Sequence, residues 1–81
     1  MSHSNVDRLV YMVNQIGDFF KYQPHEDAAE GIANHIKKFW DPRMRKQILE
    51  HLEAGGEGLE GPSRKAIEIL RDMTQKAKSD A

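Results

Sequence analysis

"KKFWDPRMRKQI" (Lys37–Ile48) sets two adjacent aromatics, an Asp-Pro step and the basic residues Lys37, Lys38, Arg43, Arg45 and Lys46 in the middle of an 81-residue chain. Proline removes a backbone donor and forces the residue before it into extended conformations, so a helix arriving at Phe39-Trp40 cannot run through Asp41-Pro42. An aspartate held in that geometry caps a new helix beginning at the proline. The stretch therefore reads as a corner between two helices, and the remaining question is why the chain's one tryptophan stands beside so much positive charge.

Working outward, the residues before the corner make one helical stripe: Ala28, Ala29, Ile32, Ile36, Phe39 and Trp40, expected as a helix over 25–40. Pro24 opens it, Glu26 and Asp27 suit its positive N-terminal end, and Lys37 and Lys38 suit its negative C-terminal end. After the corner, Met44, Ile48, Leu49 and Leu52 mark a helix over 42–54 that Gly55-Gly56 stops. Upstream, Val6, Leu9, Val10, Val13, Ile16 and Phe20 recur at separations of three and four, which predicts a helix over 5–21. Ser4 or Asn5 is placed to cap it, Tyr11, Met12 and Phe19 widen its apolar face, and Gly17 inside the pattern points to a close approach. Downstream, the glycine-rich connection 55–61 reads as mobile apart from Leu59, and Pro62-Ser63 start a last helix over 62–77 on Ala66, Ile67, Leu70, Met73 and Ala77, followed by a frayed tail over 78–81. No segment alternates like a strand and no repeat is visible. The expected fold is all-α, a small single-domain bundle of three to four short helices.

Composition limits what such a bundle does. A hydrophobic share of 38% implies a thin core, and a single domain of this size buries about 60–65% of its unfolded surface. No cysteine is present, which removes disulfides, thiolate chemistry, iron–sulfur ligation and the usual structural zinc sites. The chain opens without a basic segment leading into an apolar run, and no eighteen apolar residues stand together, so neither secretion by that route nor a membrane span is expected. A formal net charge of −1 gives no general attraction to nucleic acid.

Four histidines raise the question of a metal or an acid–base site. His35 and His51 fall on different helices, His25 stands beside Glu26 and Asp27, and His3 is near the start, so no ligand spacing links them. Nor does "GGEGLEG" carry the strand, lysine or spacing of a phosphate or dinucleotide loop. Catalysis, cofactor binding and metal binding by the chain itself are therefore not expected. Its basic patch 37–46 leaves one alternative open, a small nucleic-acid-binding or regulatory module that stacks on and neutralises a strand. Against it, Glu50, Glu53, Glu57 and Glu60 follow at once. Neighbouring helical positions point about 100° apart, so one of Phe39 and Trp40 should lie near the surface, the tryptophan more readily of the two. A tryptophan exposed beside arginine is the composition of an interface hot spot.

"VDRLVYMVNQIGDFF", "GIANHIKKFWDPRMRKQIL", "GGEGL" and the later proline together resemble the small delta subunit of NAD-dependent, molybdenum-containing formate dehydrogenases, over about Val6 to Leu70. The most specific parts are "NQIGDFF" and "KKFWDPRMR". The chain departs from the family pattern after Pro62, where the polar Ser63-Arg64-Lys65 replace more apolar residues. The resemblance implies a non-catalytic cytoplasmic accessory of a complex whose larger subunits carry bis-molybdopterin guanine dinucleotide, iron–sulfur clusters and flavin, and which it helps to assemble or stabilise. It carries over Asn14, Gln15, Gly17, Asp18, Phe19 and Phe20 from the first motif, and Phe39, Trp40, Asp41, Pro42, Arg43, Met44 and Arg45 from the second. From these, the expected partner-binding residues are Asn14, Gln15, Asp18 and the corner from Phe39 to Arg45. The isolated chain, with an aromatic patch uncovered, is expected to be able to form a homo-oligomer.

Overall fold

The computed structural model describes residues 5–80, the side chains of residue 25 and of residues 77–80 excepted. Four helices follow one another: α1 (Asn5–Phe19), α2 (His25–Phe39), α3 (Pro42–Glu53) and α4 (Pro62–Asp80), with no strand among the described residues. The all-α bundle read from the sequence is thus the observed architecture. The Ser4 cap and His3 lie outside the described residues, as does the side chain of Ala77.

Helix α1 ends at Phe19, two residues short of the expected end at 21, because the chain tightens after Gly17. Phe20 N–H donates to Gly17 O at 3.0 Å and Gln23 N–H to Phe20 O at 3.0 Å, three-residue bonds typical of a helix terminus. At the other end of the chain the difference has the opposite sign: α4 continues to Asp80, where a frayed tail was expected from 78 onward.

Helices α2 and α4 make the most extensive pairing, and α1 touches all three of the others. Small residues permit this. Ala28, Ala29 and Ala33 on α2 and Ala66 on α4 are buried, and around them Ile32, Ile36, Ile67, Leu70, Val13 and Ile48 are closed to solvent. Gly17 serves the close approach its position suggested, since a Cβ there would lie 3.0 Å from Ser63 Oγ and 3.6 Å from Ile32 Cδ1. Gly31 does the same for Phe20, whose ring edge would stand 2.6 Å from an added Cβ.

Four side chains pin the connection between α3 and α4, where only Leu59 was expected to hold it. Helix α3 closes on Gly55 and Gly56, both at positive φ, with Gly55 N–H donating to Leu52 O at 3.0 Å and Gly56 N–H to His51 O at 2.9 Å. That paired bonding is a Schellman stop, which a side chain at Gly55 would strain. Leu59 is buried as expected. In addition Asn14 Nδ2 donates to Gly58 O at 2.8 Å, His51 Nε2 and Glu57 O are 2.7 Å apart, and Arg64 donates to Gly55 O. The polar residues after Pro62 are part of the same arrangement: Ser63 is buried against Gly17, and Arg64 lies over Gly56.

Candidate docking surface

The corner is built as its sequence implies. Asp41 is extended (φ −76°, ψ 165°), its Oδ1 accepts the Met44 N–H at 2.9 Å, and Pro42 opens α3. Trp40 is also extended and ends α2, its N–H still donating to Ile36 O at 2.9 Å.

The two aromatics are arranged opposite to the reading that favoured an exposed tryptophan. Trp40 is 6% exposed and belongs to the core cluster, whereas Phe39 is 66% exposed. Once the chain leaves the helix at Trp40, that side chain turns back under α1, while Phe39, still on α2, stays on the outer side. Phe39 instead meets His35 one turn earlier, ring centroids 4.8 Å apart and planes tilted by 44°, with Lys38 Nζ 5.9 Å from its centroid. Tyr11 and Phe19 likewise do not widen a buried face: they are 63% and 86% exposed.

A shallow hollow of about 390 Å³ lies between α1 and α2, lined by Met12, Gln15, Ile16, Asp18, Phe19, His35 and Trp40. A second, of about 260 Å³, adjoins it at Met12 and is lined by Asp41, Arg43 and Met44 together with Asn5, Arg8, Leu9 and Gln47. Of the residues expected to bind a partner, Gln15, Asp18 and Trp40 therefore border the first hollow and Asp41, Arg43 and Met44 the second, with exposed Phe39 beside the first through His35.

Three others are placed elsewhere. Asn14 faces the glycine-rich loop, donating to Gly58 O and accepting from Glu60 N–H at 3.4 Å. Arg45 Nη1 donates to Lys37 O at 2.9 Å and Trp40 O at 3.1 Å, covering carbonyls left open at the end of α2. Pro42 and Arg45 border a separate cleft between α3 and α4 with Lys46, Glu50 and Arg71.

Sequence reasoning passed over His35, Met12 and Ile16 as lining residues. The i, i+4 spacing of His35 and Phe39 was the available signal for the first. Met12 and Ile16 were read as core side chains, and both are only partly buried.

Chemically, this surface offers apolar and aromatic contact with a charged border. Among the described residues no group of three His, Asp or Glu side chains stands where it could hold a metal ion. No helix among them is long and apolar enough to cross a membrane.

Comparison with known families gives one match: residues 8–67 fit the family described as NADH-dependant formate dehydrogenase delta subunit FdsD. No curated protein and no solved structure matches the chain.

Proposed function

Because the chain belongs to the family of NADH-dependent formate dehydrogenase delta subunits, we propose that it performs no turnover of its own and serves the complex by docking on a larger subunit through the α1–α2 hollow and its exposed phenylalanines. The observation that carries this reading is the exposure of Phe19, which lines the hollow with Trp40, and of Phe39, whose ring meets His35 of the same lining. Large aromatics left in water at adjoining places on a small domain are characteristic of a surface that another protein covers. The hollow is also open, and apart from Gln15, Asp18 and His35 its lining is apolar and aromatic, as contact with another protein requires.

On this reading the protein works in the cytoplasm, and molybdenum cofactor, iron–sulfur clusters and flavin belong to the larger subunits. Its contribution is to the yield or integrity of the assembled enzyme. The test has two parts, assay of the purified chain alone and re-addition of the chain to enzyme prepared without it. No formate-dependent NAD reduction is expected from the chain alone, together with higher yield or slower inactivation of the enzyme after re-addition. Turnover by the chain alone, or an enzyme indifferent to its presence, contradicts the proposal.

A further inference from the structure

The geometry points to an acidic, apolar-anchored segment of the larger subunit as the occupant of this surface, its carboxylates meeting Arg8 and Arg43 and its apolar side chains lying over Met12, Ile16 and Phe19. This rests on the docking reading above and adds the chemistry and direction of what docks.

The two hollows share Met12 and so form one path along the flank of α1. At about 1.5 Å per residue, Arg8 and Phe19 stand roughly 17 Å apart along the helix, the length of about three turns of a partner helix. The path is polarised. Its Arg8–Arg43 end holds two exposed guanidinium groups, whereas the Arg71 guanidinium is engaged by Glu53 and Asp72. The one carboxylate in that hollow, Asp41, is engaged in capping α3. The middle and far end carry the apolar Met12, Ile16, Phe19 and Trp40 together with Gln15, Asp18 and His35, and Lys38 beside Phe39 adds a further cation. An apolar centre with a cationic end selects a partner of the complementary pattern, since charge at a rim steers encounter and sets register.

A second copy of this chain is the rival occupant, because Glu57 and Glu60 are exposed on its glycine-rich loop. Membership of a multisubunit family supplies a standing partner of another kind, and on that ground the larger subunit is the occupant assigned.

The double variant Arg8→Glu/Arg43→Glu tests this. Both positions are exposed and stand in the first turns of α1 and α3, where a carboxylate suits the helix dipole, so helix content should be kept. The chain would be titrated against formate dehydrogenase prepared without its delta subunit, at low and at high salt. Wild type should bind more weakly as salt rises; the double variant should bind about tenfold more weakly at low salt and lose most of that salt dependence. Unchanged binding by the double variant overturns the acidic-partner assignment while leaving docking at the aromatic hollow intact. Unchanged binding by Phe39→Asp in the same titration overturns the docking surface itself. Two further outcomes also overturn the assignment: wild-type chain alone forming a dimer that the double variant abolishes, or salt-sensitive binding to a single-stranded oligonucleotide that the double variant abolishes.

Discussion

The guanidinium of Arg45, at the end of the first turn of α3, donates to the main-chain carbonyl of Trp40 at 3.1 Å, so a residue after the corner closes the helix before it. The same nitrogen reaches Lys37 O, and the positive charge sits at the negative end of α2. Arg45→Met keeps the side-chain stem and removes both bonds, and it should lower stability by about 1–2 kcal/mol. Urea denaturation checks this. An unchanged midpoint would mean that water serves those carbonyls as well as Arg45 does.

Trp40 should behave as a core residue. Truncation to alanine is expected to remove about 3–5 kcal/mol. For a domain worth on the order of 4–12 kcal/mol in all, that is a large fraction of the total, and it unfolds much of the chain where the total lies near the lower figure. Any loss of partner binding in Trp40→Ala should then track loss of helix signal in circular dichroism. A folded Trp40→Ala chain with impaired binding would instead assign the indole to the interface.

Asn14 should matter for the loop and not for the partner. Its amide both donates to Gly58 and accepts from Glu60. Asn14→Ala is expected to cost about 1 kcal/mol and to speed amide exchange over residues 55–61, with partner affinity within twofold of wild type. A loop that exchanges no faster would show that Leu59, His51 and Arg64 hold it without Asn14.

How much of this was legible in the sequence depended on how local the governing physics is. The Asp41 cap, the Pro42 start and the stop at Gly55-Gly56 follow from conformations of adjacent residues, and all three are present. Which of Phe39 and Trp40 faces inward was not legible, because it depends on α1, which lies more than twenty positions away in the chain. The partners that Asn14 and Arg45 have within the fold were hidden for a related reason. Each is a polar residue with a main-chain partner in another element, Gly58 for one and the end of α2 for the other, and nothing in the spacing of the sequence reveals such a pairing. The exposed aromatics show the same limit from the other side: Phe19, three positions after Ile16, was read as widening the apolar face of α1, and a spacing carries no information about whether a neighbour is there to cover it.

The central claim is that this delta subunit is held by its exposed phenylalanines. Its most direct test is co-purification of the larger formate dehydrogenase subunits with tagged Phe19→Asp/Phe39→Asp chain, set beside Tyr22→Asp, which alters an exposed aromatic that neither lines a hollow on this surface nor stacks on a residue that does. Capture by the double variant should fall at least tenfold with its helix content intact, and capture by Tyr22→Asp should match wild type. Equal capture by all three chains would contradict the account.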